Sequence, residues 1–340
     1  MADDTRYAYA VARIRGLETG LLDRQWIERL LVEDAEGVLS VLADSAFQEA
    51  IADIDRPEDL EEGLVRARAE TLSTVSALSP EPALIDLFRV RWDFRNLRSL
   101  IKASLLKPSE EGVGPSGREI GLTDGVGTID LQVLQKAVQD GDYVALPAVL
   151  ADVARAAADV FRDSGEMARV DREFDLAMWA HLLTVASENG SEFLTEYFRV
   201  EIDLLNVRTF IRVKEAGLDR TDLLRVFVPG GTLDLSFLEA HLGEPVDAFA
   251  RSLEYGRYGA LAPIFHEWTG EKAHMLELAC DDILLNCVER AKTIAYGIEP
   301  LVAFILVRQM EIKLVRAAVA AKLDGISRDE LEGRLRAVHV

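Results

Sequence analysis

Gly112, Gly114 and Gly117 spell G-x-G-x-x-G, the pattern whose backbone N–H groups can cradle a pyrophosphate. That chemistry needs an apolar strand before the glycines and a helix directly after them. Here Glu110 and Glu111 precede them, at the end of a helical stretch, so the segment reads as a linker. No G-x-x-x-x-G-K-[ST] phosphate loop occurs, and nucleotide hydrolysis has no visible apparatus in this chain. Asp281 and Asp282 open a possible DDxxD magnesium motif, but Leu285 stands where the further carboxylate belongs. A capping or helix-surface role is the plainer account of that pair.

His181, His241, His266, His274 and His339 form neither HExxH nor a cysteine-paired zinc spacing. They read as satisfied or exposed side chains. No G-x-S-x-G elbow or cysteine nucleophile signature appears. Cys280 and Cys287, if on one helix, lie about 10 Å apart, beyond disulfide reach, and read as small buried apolar groups. The sequence nominates no catalytic residue, no metal ligand and no cofactor.

One charge feature rises above the background. Three similar segments, Phe88–Lys107, Phe198–Lys214 and Leu306–Leu323, hold fourteen basic residues against four acidic ones, in a chain of net charge −21. Pairing inside the protein, Asp93 or Asp203 with a neighbouring arginine along a solvated face, is the plainer account. The sharper one is that some of these cations meet an acidic or polar partner. Arg91, Arg95, Arg199, Arg212, Arg308 and Lys313 are the candidates that charge alone singles out. The overall acidity repels phosphate backbones and anionic headgroups, which argues against nucleic acid and direct lipid adsorption.

These segments belong to a repeat. A first landmark recurs as GLLDRQWIERLL from Gly20, GTIDLQVLQKAV from Gly127 and GTLDLSFLEAHL from Gly231, steps of 107 and 104 residues. Asp23, Asp130 and Asp234 each stand three residues after the glycine, as helix N-caps would. The second landmark is the basic helix itself, starting at Phe88, Phe198 and Leu306, steps of 110 and 108. Asp93, Asp203 and Glu311 align within it, as do Arg98, Arg208 and Arg316.

Between the landmarks, apolar residues recur at helical spacing, as in the stretches from Asp175 and Cys280. The only β-like run is the short one at Val226–Val228. The expectation is an all-α chain of three helical units of about 105–110 residues: 1–108, 127–218 and 219–340, the last with a C-terminal helix, and a Gly-rich linker at 109–126. The longest apolar stretch, near Ile298–Val307, is too short to span a bilayer, and the acidic start is no secretory signal. Cytosolic placement is the default.

The run YAYAVARIRGLETGLLDRQWIERLL, with Tyr7, Tyr9, Arg13, Arg15, Glu18 and Leu22, resembles the opening of the C subunit of A/V-type ATP synthases, the counterpart of the d subunit of vacuolar ATPases. The likeness continues at Arg91–Leu106, Tyr197–Arg212 and the Gly-x-Glu-Pro of Gly297–Pro300, and spans nearly the whole chain. It departs at Leu314, where the first two units carry Asn96 and Asn206.

The resemblance implies a pseudo-threefold, funnel-shaped, non-catalytic adaptor of the central stalk, monomeric alone and present once per complex. It would join the D/F axle to the membrane proteolipid ring, peripheral to the membrane and without inserting into it. The competing readings are a helical scaffold outside rotary motors and a helical metal-dependent enzyme.

Overall fold

The computed structural model describes residues 5–105, 122–123 and 125–326. The linker with Gly112, Gly114 and Gly117, and also His339, lie outside the described residues. Among the described residues fifteen α-helices follow one another: α1 Ala8–Glu18, α2 Arg24–Val32, α3 Ala35–Ala43, α4 Leu60–Leu78, α5 Pro82–Leu105, α6 Leu131–Asp140, α7 Ala148–Ser164 and α8 Met167–Glu188. Then come α9 Glu192–Glu215, α10 Arg220–Val226, α11 Leu235–Leu242, α12 Val246–Leu253, α13 Ala262–His266, α14 Ala273–Lys292 and α15 Glu299–Leu323. Four single-turn 3-10 segments intervene, and no strand occurs among the described residues. The fold is all-α.

The chain divides into two compact units. The first joins Met1–Ile85 to Val246–Val340, and the second is Asp86–Pro245. In the first, α15 packs on α4, α14 and α1. One of its cores gathers Ile27 and Leu30 of α2, Val38 and Val41 of α3, Leu64 of α4, and Ile312 and Val315 of α15. Within this unit Arg15 of α1 also donates to the carbonyls of Ala291 and Ile294 at the end of α14. A cation there complements the negative end of the helix dipole, beside the Ile294 N–H that the Ala291 carbonyl also accepts.

In the second unit α8 packs between α7 and α9. Leu150, Ala151, Ala154 and Ala157 put a continuous apolar stripe of α7 inward, at spacings of three and four. It meets Phe94, Leu97 and Ile101 of α5 and Val170 and Phe174 of α8. Gly141 and Gly165 end α6 and α7 in the left-handed conformation that closes helices without a Cβ penalty.

The expected N-caps are found at two of three positions. Asp23 accepts from the amides of Gln25 and Trp26, and Asp130 from that of Gln132. Asp234 occupies the N-cap of α11 but makes no such bond with its side chain.

Candidate functional site

The aligned acids of the basic helices turn inward. Asp93 of α5 is fully buried and accepts the N–H of Thr128 at 3.0 Å, its hydroxyl at 2.6 Å and the N–H of Ile129 at 3.1 Å. Asp203 of α9 accepts the N–H and hydroxyl of Thr232 at 2.9 and 2.5 Å and the N–H of Leu233 at 2.8 Å. One turn further along, Asn96 pairs both ways with the backbone of Thr123, and Asn206 with that of Val228. Each helix therefore clasps the turn that begins the next first landmark. This corrects the expectation that Asp93 or Asp203 pairs with an arginine along a solvated face.

The glycine of each landmark follows from that clasp. A Cβ on Gly127 would sit on the Asp93 carboxylate, and one on Gly231 on that of Asp203. Gly20 has only ordinary neighbours. Its turn is held differently: Glu311 of α15 accepts the N–H of Leu22, the position that matches Ile129 and Leu233. Leu21 replaces the threonine and Leu314 the asparagine, so this clasp has neither the hydroxyl nor the amide arm. Glu311 spends its other oxygen on Arg308 at 2.6 Å, and the Arg308 guanidinium lies over the Phe47 ring.

Two lysines extend the scheme. Lys214 donates to the carbonyls of His241, Leu242 and Glu244 at the end of α11. Lys322, 108 positions later, donates to those of Leu31 and Glu33 at the end of α2. A cation there complements the helix dipole and bonds the carbonyls of the last turn and just beyond it.

The six nominated cations fall into different settings. Arg91 is half-buried, bonded to Glu201 at 3.0 Å and facing the rings of Phe88, Trp179 and Phe198. Arg308 is buried in its pair with Glu311. Lys313 is exposed and pairs with Asp281. Arg95 is exposed and stacks on Trp92 of its own helix. Arg199 and Arg212 are exposed on α9, and Arg199 has no ion pair among the described residues. Sequence reasoning did not separate inward from outward cations, because partners such as Glu201 lie 110 residues away.

Asp281 is thus tied to a lysine, and Asp282 beside it has its carboxyl pushed up by burial and by the Asp281 charge. No group of histidine, cysteine and acidic residues among the described residues could hold a metal. No described helix is long and apolar enough to cross a membrane.

A model of the ATP synthase (C/AC39) subunit family matches residues 10–334. The chain belongs to that family. It is 25% identical to the C subunit of the A-type ATP synthase of Thermococcus kodakarensis, over 95% of this chain and 88% of that protein. Identity is also 25% to the C subunit of the V-type sodium ATPase of Enterococcus hirae, over 96% and 97% of the two chains. With the C subunit of the A-type ATP synthase of Methanothermobacter thermautotrophicus it is 26%, over 93% and 84%. The protein is a subunit of an A/V-type ATP synthase or ATPase, and its family is structural, not catalytic.

Proposed function

We propose that this chain is the central-stalk adaptor of its ATPase, coupling the D/F axle to the proteolipid ring from the cytoplasmic face of the membrane. The observation that carries the reading is the family match over residues 10–334, nearly the whole chain. One copy serves each complex, and the chain is a monomer in isolation. It makes and breaks no bond; it passes torque through helices whose apolar faces are buried in close-packed cores. Three units in a pseudo-threefold funnel, 1–108, 127–218 and 219–340, belong to the same proposal. The matched clasps at Asp93 and Asp203 support their common design.

The outward cations Arg95, Arg199 and Arg212 are the proposed partner contacts, joined by the exposed Lys313. Arg91 and Arg308 are engaged within their own units, by Glu201 and Glu311.

The test is capture of the cognate D/F axle by this protein at low and high salt. Binding lost at high salt supports the adaptor and an electrostatic contact, since exposed charge pairs are screened within about 10 Å at 0.1 M. Binding that resists salt keeps the adaptor and moves the contact to apolar surface. No binding at either salt overturns the reading and leaves a helical scaffold outside rotary motors.

A further inference from the structure

His266, at the end of α13, takes no part in the clasps. Its Nδ1 lies 2.6 Å from the Asp247 carboxylate and its Nε2 2.8 Å from that of Glu254. A carboxylate offers only acceptors, so both ring nitrogens donate, and the ring that fits is the doubly protonated imidazolium. Asp247 lies in the first turn of α12 and Glu254 directly follows its last residue, so one imidazolium reaches both ends of that helix. Phe249 of α12 and Phe265 of α13 pack ring to ring at 5.4 Å, and Phe265 meets Trp268 at 5.7 Å. The charged groups acting on His266 are Asp247 and Glu254, and Asp247 is also held by Arg251. Glu267, its neighbour in sequence, is occupied by Lys272.

Glu254 opens the connector from α12 to α13, and the next residue, Tyr255, is 97% exposed. Gly256 and Gly259 flank the rest of that loop. The carboxylate that His266 holds therefore adjoins an aromatic side chain presented to solvent, while the buried Tyr258 anchors the far end of the loop.

We propose that His266 is a proton-sensitive staple that fixes the α12 end of this connector at Glu254 and Tyr255, and that losing its proton loosens that end. The proton-bound ring makes both bonds. The neutral ring has one N–H and can keep only one, while its bare nitrogen faces a carboxylate. The two carboxylates raise the His266 pKa above its ordinary 6.5. A group whose folded pKa is raised stabilises below its unfolded value, and that stability is lost as pH rises through the folded pKa. The release therefore falls above pH 6.5, on the alkaline side. The inference is independent of the adaptor reading.

The experiment is an NMR titration of the histidine rings in the full chain, with amide exchange of residues 254–257 at one pH below and one above the His266 midpoint so measured, corrected for intrinsic rates. His266 titrates above 6.5, and protection at residues 254–257 falls roughly two- to fivefold above the midpoint, the scale of an exposed ion pair. In His266→Gln the corrected protection is low at both pH values; in His266→Arg, which keeps the charge, it stays high at both. A His266 that titrates at or below 6.5 overturns the proposal. So does a pH dependence that survives unchanged in His266→Gln.

Discussion

Glu311 accepts the backbone N–H of Leu22, so the last described helix holds the turn that opens the first landmark. The carboxylate also neutralises Arg308, both side chains being over nine-tenths buried. Removing it leaves a buried guanidinium without a counter-charge and an amide without an acceptor. Glu311→Ala is expected to cost about 3–5 kcal/mol in denaturant unfolding, the range for breaking one side of a buried pair. Glu311→Gln keeps an acceptor for Leu22 and costs less. Equal losses from the two variants would show that packing, not the charge, matters at this position.

The glycines of the three landmarks look alike in sequence and differ in what surrounds them. Gly127→Ala and Gly231→Ala push a methyl into the clasping carboxylate and must displace it, leaving buried amides unmet; each should cost about 2–4 kcal/mol. Gly20→Ala meets only ordinary contacts and should stay within about 0.5 kcal/mol. Unfolding midpoints of the three variants check this, and a Gly20 variant as damaged as the others would refute it.

Much of this design was legible in the sequence. The helical period of the stretches from Asp175 and Cys280 marked the fold class, and the aspartates after the glycines marked helix starts. The clasps were not legible, because an aspartate beside arginines on a helix reads as a local pair, whereas Thr128 lies 35 residues from Asp93. A signal was present all the same. Asp93 recurs at Asp203 and Gly127 at Gly231, in step with one another, though a bare turn needs no acid partner. The run Val226–Val228 read as β-like because it is apolar. Its extended end, beyond Val226, gives the polar groups of Val228 to the Asn206 amide instead of to a strand.

Arg91 and Arg199 sit on neighbouring segments of the repeat pattern and should fail in different ways. Arg91→Ala leaves Glu201 largely buried and strips cation contacts from Phe88, Trp179 and Phe198, at about 2–4 kcal/mol of stability. Arg199→Glu leaves stability within about 0.5 kcal/mol and, on the adaptor reading, weakens axle capture at low salt. Thermal unfolding and capture, measured on both proteins, separate the two roles. An Arg199 variant that unfolds as easily as the Arg91 one would remove it from the contact surface.

Acid should act on the clasps opposite to the habit of carboxylates. Burial pushes the Asp93 carboxyl above its ordinary 3.8, against the opposing pull of its bonds to Thr128 and Ile129 and the charge of Arg89. Burial does the same to Glu311 against Arg308 and the Leu22 amide. Between the unfolded and folded pKa values the folded chain binds more protons than the unfolded one, so the unfolding free energy contributed by each group falls as pH rises through that window. The contribution is fullest below the unfolded value. Asp93→Asn removes the titration, so the stability of the wild type relative to this variant should increase as pH drops from 6 towards 4. Urea unfolding at several pH values measures that difference directly. If the wild type instead loses ground to Asp93→Asn on acidification, the hydrogen bonds to the charged carboxylate outweigh its burial.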